Sequence, residues 1–170
     1  MGGKVMRTLR ICPWMAPLTH AELLELASCG QVRMYEPQDM ILRPEDERLF
    51  ILRRGRVALH VRMESESDRC GGEADFELDK PGDAFGWATW ARPDRIVTSA
   101  RALDLCEMVT VDLERIRDPT TLSKLGLRMV QNLFARLQEG GLCPPNVRAF
   151  LKLGEARCIF PETSVEGIPW

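Results

Sequence analysis

From Val57 to Arg62 the sequence alternates Val57, Leu59 and Val61 with Ala58, His60 and Arg62. A period of two is that of a strand with one buried and one wet face. The same texture runs from Gln31 to Val111. QVRMYEP, MILRPE, LFILRRGRVALHV, ADFELDKPGDAFG, RIVTSARAL and CEMVTVDLERI are short apolar runs cut by turn residues. The cuts include Pro37-Gln38-Asp39, a turn at Arg54-Gly55, and the polar stretch 64–74, which reads as a hairpin loop. So many short strands in about 80 residues predict a β-barrel or a two-sheet jelly roll.

Two helices flank this region. In LTHAELLELASC, residues 18–29, Thr19 and Glu22 have capping-box spacing, and Leu18 and Leu23 are placed for a hydrophobic staple. Leu23, Leu24, Leu26 and Ala27 are expected to form one apolar face, with Gly30 ending the helix. Asp118-Pro119 introduces a second helix over about 120–139. Its apolar residues, Leu122 through Leu137, cover an arc of roughly 200°, wider than one core-facing stripe needs. The expectation is packing on the barrel and on something else, with self-association or a protein partner through Val130, Phe134 and Leu137. We place one domain at 6–139. Residues 140–170, proline-rich, read as a C-terminal extension without its own core.

Lys plus Arg number 23 against 25 Asp plus Glu, a net charge of −2, so the chain lacks the basic footprint of a nucleic-acid binder. No run of apolar residues is long enough for a membrane span, and the first residues lack the apolar core of a signal peptide. Met6 stands where a myristoylation signal needs Ser or Thr. The expectation is a cytoplasmic protein with no membrane partner. Six separated cysteines lack zinc or thioredoxin spacing and read as reduced thiols. His20 and His60 are the only histidines, too few for the metal cluster of a cupin enzyme, and His60 reads as a solvent-facing strand residue. Neither metal, cofactor nor enzyme activity is expected. The Cys-Pro pairs at Cys12-Pro13 and Cys143-Pro144 leave haem as a minor reading.

Helix, barrel, PGDAFG loop and long final helix, in that order, resemble the cyclic nucleotide-binding domain. This is the sensor module of catabolite-activator-type regulators, cyclic-nucleotide-dependent kinases and gated channels. The similarity runs from about Met6 to Leu137. LFILRRGRVALHV resembles the family's strand–glycine turn–strand segment, PGDAFG the approach to its phosphate-binding cassette, and TSARAL the strand leaving it. The resemblance implies a mainly β, cyclic-nucleotide-binding-like double-stranded β-helix (jelly roll) flanked by an N-terminal helix and a long C-terminal helix. It also implies a cassette whose N–H groups face a cyclic phosphate, a glutamate for the ribose hydroxyl, and an arginine for the phosphate.

This chain departs from that pattern. Trp87 follows Gly86 where the family has glutamate, and Ile96 stands where it has arginine, with Arg95 one residue early. Indole donates but cannot accept a hydrogen bond, and a phosphate beside Ile96 would lack its counter-charge. Gln38 and a residue within RPEDE replace two further family glycines. The candidate pocket is Gly86, Trp87, Ala88, Thr89, Arg95, Ile96, Val97 and Thr98. Three readings follow: a ligand-free scaffold filled by Trp87 and Trp90, a remodelled pocket for another small molecule, or cyclic nucleotide held by Arg95 through a bulge. The tail offers no room for a winged helix-turn-helix. The expected role is a stand-alone sensor or interaction module that does not bind cAMP or cGMP in the usual way.

Overall fold

A computed structural model of the chain describes residues 2–44, 46, 48–63, 72–86 and 96–139. Helices α1 (Gly2–Ile11) and α2 (His20–Ser28) are joined by a 3-10 turn at Pro13–Met15. Then come strands β1 (Gly30–Tyr35), β2 (Met40–Leu42), β3 (Arg48–Arg54), β4 (Val57–Met63), β5 (Gly72–Leu78), β6 (Ala84–Phe85), β7 (Ile96–Ala102) and β8 (Cys106–Asp112). Helix α3 (Pro119–Glu139) ends the described chain. Two four-stranded antiparallel sheets form, in the orders β1-β8-β3-β6 and β2-β7-β4-β5. This is the mainly β jelly roll that the strand texture predicts.

LFILRRGRVALHV reads as two strands about a turn, but β3 and β4 are not paired with one another. β3 lies in the first sheet and β4 in the second, and β7 and β8 cross between sheets in the same way. One clasp holds the two corners together. The Arg56 N–H donates to Asp104 Oδ1 at 2.7 Å and its Nε to Oδ2 at 2.9 Å, while the Leu103 N–H donates to Arg56 O at 2.9 Å. The guanidinium and the Arg56 N–H hold the Asp104 carboxyl below the usual range. The β4–β5 hairpin runs in unbroken register from Val57↔Leu78 to Met63↔Gly72.

Leu49 to Leu52 of β3 and Met108 to Val111 of β8 are all buried. The reason is that both faces of this sheet are covered, which favours continuous apolar runs over alternation. Helix α1 covers one face: Val5, Thr8 and Leu9 are buried, and Lys4 Nζ reaches Glu107 of β8 at 3.4 Å. Leu49, Ile51, Val109 and Val111 share that face by register; Phe50, Leu52, Met108 and Thr110 lie on the other, toward the second sheet. The sequence reading missed α1, whose weak signal is Val5, Leu9 and Cys12 at helical spacing behind two glycines.

The capping box forms as read, with the Thr19 N–H donating to Glu22 Oε2 at 2.5 Å and the Glu22 N–H to Thr19 Oγ1 at 3.3 Å. The single apolar face does not. Leu26 is fully buried but Leu24 is 52% exposed, because two residues on a helix lie 200° apart. Glu22 also accepts from Lys124 Nζ of α3 at 2.7 Å, and Glu25 Oε1 accepts from the N–H groups of Arg117 and Asp118. Asp118 caps α3, accepting from Thr120 N at 3.0 Å and Thr121 Oγ1 at 2.8 Å, with Pro119 first in the helix. Leu125 and Met129 are buried, whereas Leu127 is 61% exposed. Positions 130, 134 and 137 lie on the α3 backbone, but their side chains fall outside the described residues.

Candidate functional site

The run that resembles the approach to a phosphate-binding cassette opens on a four-residue turn, Lys80-Pro81-Gly82-Asp83. The Lys80 N–H donates to Asp83 Oδ2 at 3.1 Å and the Asp83 N–H to Lys80 O at 3.0 Å. Two further bonds stitch the turn to β3: Gly82 N to Leu52 O and Leu52 N to Asp83 O, both 2.8 Å. Gly82 has φ +99°, and a Cβ there would stand 2.8 Å from Ile11 O at the end of α1. The turn is thus wedged between the end of α1 and the middle of β3.

Strand β6 then leads to Gly86, with φ +102°. An added Cβ would lie 2.4 Å from Arg48 O and 2.8 Å from Phe50 Cδ2. Only glycine combines that backbone with that approach. Alongside, the Phe50 and Phe85 rings stack with centroids 5.4 Å apart, and the Arg48 guanidinium lies 5.3 Å from the Phe50 ring centroid. Arg48 also pairs with Asp46. This cation–aromatic stack was missed in the sequence; the one available signal was an aromatic residue directly before Gly86.

On the far side, β7 pairs with β4 without interruption from Met63↔Ile96 to Val57↔Ala102. Thr98, Ala100 and Ala102 are buried; Ile96 heads the strand on the backbone, and its side chain falls outside the described residues. Val97 is half-buried on the opposite face, with Ser99 and Arg101. Of the proposed pocket, the structure therefore places Gly86 and Thr98 on the buried framework and position 96 at the head of β7. Trp87, Ala88, Thr89 and Arg95 lie outside the described residues, as do Trp90 and Arg92.

Cys12 is 2% exposed, and burial pushes its thiol up to about 11, so it stays protonated near neutral pH. A protonated, enclosed thiol is a poor axial ligand for haem iron; Cys143 lies outside the described residues. His60 is a half-exposed strand residue on the outer face of its sheet, its Nδ1 2.8 Å from Asp75 Oδ1. Among the described residues no three His, Cys, Asp or Glu side chains gather as a metal site, and no helix is long and apolar enough to cross a membrane.

No protein-family model matches the chain, and no curated protein matches its sequence. Solved structures do match. The regulatory subunit of a cAMP-independent protein kinase A from Trypanosoma cruzi, bound to guanosine, is 18% identical with a TM-score of 0.58, covering 90% of this chain and 51% of that one. A triple mutant of the Trypanosoma brucei subunit, one of whose changes introduces an arginine, is bound to cAMP in the A site. It is 21% identical with a TM-score of 0.56, covering 89% of this chain and 50% of its own. The domain designated PKAR CBD2, bound to Sp-2Cl-cAMPS, is 20% identical with a TM-score of 0.57, over 85% of this chain and 97% of that one. The chain spans about half the length of the trypanosome subunits. At these identities the likeness shows the fold: this is the jelly roll of cyclic nucleotide-binding domains. The matched proteins are regulatory or ligand-binding domains.

Proposed function

We propose that this chain is a cytoplasmic sensor or protein-interaction module, not an enzyme, that does not take cAMP or cGMP in the usual way. The observation that carries this reading is the uninterrupted β4–β7 register. The absence of a bulge from 96 to 102 supports reading Ile96, and not Arg95, at the position where the resembled family keeps its phosphate-binding arginine. A cyclic phosphate there would lose a charge-assisted pair, and transfer of an unpaired charge to an apolar site is strongly unfavourable. The trypanosome kinase is described as cAMP-independent, and the form of it carrying cAMP is one that gains an arginine. Both facts support the same reasoning for this chain.

A second reading is favoured by the guanosine in the T. cruzi structure: a nucleoside has no phosphate to neutralise. In this chain such a ligand would sit against Gly86 and Thr98, with Trp87 as stacking face and Arg95 at the rim. The domain, placed at 6–139, would signal through α3. Helical spacing puts positions 130, 134 and 137 on one strip with Leu127, whose 61% exposure supports a second apolar face. Self-association through that strip is the output we propose, with no nucleic-acid or membrane partner.

Thermal unfolding with guanosine, adenosine, cAMP and cGMP in turn tests the reading, because a ligand of the folded form must raise the midpoint. The cyclic nucleotides are expected to leave the midpoint unchanged. Micromolar cAMP uptake by calorimetry, lost in Arg95→Ala, would overturn the proposal. Light scattering on the wild type and on Leu127→Glu reads the self-association: a dimer that becomes a monomer is expected, and a monomeric wild type rejects it.

A further inference from the structure

At the corner end of the first sheet lies a depression of about 350 Å³, lined by Met34, Arg54, Gly55, Asp104, Leu105 and Glu107. Two apolar side chains border it, Met34 of β1, 57% exposed, and Leu105 of the β7–β8 corner, 50% exposed. Its two carboxylates are already engaged. Asp104 is held by Arg56 at 2.9 Å, and Glu107 by Arg53 at 2.5 Å and Lys4 at 3.4 Å. Arg54 between them has no hydrogen-bond or ion-pair partner among the described residues. The depression thus presents two apolar side chains around one guanidinium that has no partner among the described residues. Its complement is a segment in which a carboxylate stands among apolar residues.

This chain carries such a segment beyond α3. Residues 158–170, CIFPETSVEGIPW, contain Glu162 and Glu166, no basic residue, and Ile159, Phe160, Val165, Ile168 and Trp170. The intervening residues 140–157, fully extended, reach about 60 Å, against about 35–40 Å for the diameter of a domain of this size. Tethering also keeps the segment at millimolar effective concentration, so weak contacts suffice. We infer that residues 158–170 dock in this depression, a glutamate pairing with Arg54 and the flanking apolar residues covering Met34 and Leu105. The docked segment is an intramolecular strap over the sheet corner, separate from the cassette, and it does not rest on any reading of the ligand pocket.

The test uses the full chain with p-benzoylphenylalanine in place of Leu105, irradiated and mapped by mass spectrometry. Cross-links within one chain to peptides from 158–170 are expected. Arg54→Glu should cut their yield at least about five-fold, the loss of a charge-assisted pair, and Glu162→Arg with Glu166→Arg in that background should restore it. The same probe at Leu24, equally exposed but elsewhere, should give little. Cross-links to a second copy, to other segments only, equal yield from Leu24, or yield indifferent to both charge changes would overturn the inference. Circular dichroism on each variant separates loss of docking from loss of folding.

Discussion

Two turns of this molecule have the same hydrogen bonds and different residues at their centre. In Glu36-Pro37-Gln38-Asp39 the Glu36 N–H donates to Asp39 Oδ2 at 2.8 Å and the Asp39 N–H to Glu36 O at 3.0 Å. In Lys80-Pro81-Gly82-Asp83 the corresponding bonds are 3.1 and 3.0 Å. Proline sets the first central residue and the second takes positive φ, +75° at Gln38 and +99° at Gly82, the pattern of a type II turn. The surroundings differ. Gln38 is exposed, whereas a side chain on Gly82 would collide with Ile11 O. Backbone strain alone costs about 1–2 kcal/mol, which a fold tolerates; strain plus collision with a main chain it does not. Glycine stands at 82, where two independent demands meet, and glutamine is accommodated at 38, where only one operates.

On that account neither Gly82 nor Gly86 tolerates a side chain. Gly86→Ala should cost about 3–5 kcal/mol, combining an unfavourable φ with a forced backbone shift, and Gly82→Ala about 3 kcal/mol on the same grounds. Urea titration measures both. A cost below about 1 kcal/mol for either would mean that the main chain gives way freely, and the contrast with Gln38 would collapse.

The aspartates sharpen the comparison at a smaller scale. Each bonds the first N–H of its turn, but Asp83 is half-buried and its turn is stitched to β3, while Asp39 is exposed. Removing an acceptor is costlier where the donor is screened from water. Asp83→Ala is expected to cost about 2 kcal/mol and Asp39→Ala about 1 kcal/mol or less. Equal losses would show that burial is not what distinguishes the two turns.

The features legible in the sequence were those with local causes. Thr19 and Glu22 cap α2, Asp118-Pro119 starts α3, and alternation in β4 marks its buried face, because each depends on neighbours a few residues away. What the sequence did not show depends on distant partners. Nothing in LFILRRGRVALHV says that β3 and β4 belong to different sheets; Asp104, reached through a later corner, fixes that. Leu24 looks apolar by type and is exposed by phase. Helix α1 is short, glycine-led and basic on its open side, so only packing against α2, β1 and β3 identifies its buried stripe. At the candidate site, the glycine at 86 was readable, but the Arg48–Phe50–Phe85 stack required knowing that β6 pairs with β3.

The smallest expected effect is the most exacting, because two terms oppose one another. Gln38→Gly relieves about 1–2 kcal/mol of positive-φ strain. It also frees the unfolded chain, which costs about 0.4–1 kcal/mol. The backbone bond from Gln38 N to Ala102 O at 2.8 Å is untouched by the change. The net expectation is a gain of about 0.5 kcal/mol, or a rise in Tm of roughly 1–2 °C for a chain of this size. A fall in Tm of that magnitude would require a stabilising contact from the exposed Gln38 side chain, and strain would no longer distinguish this turn from the one at Gly82.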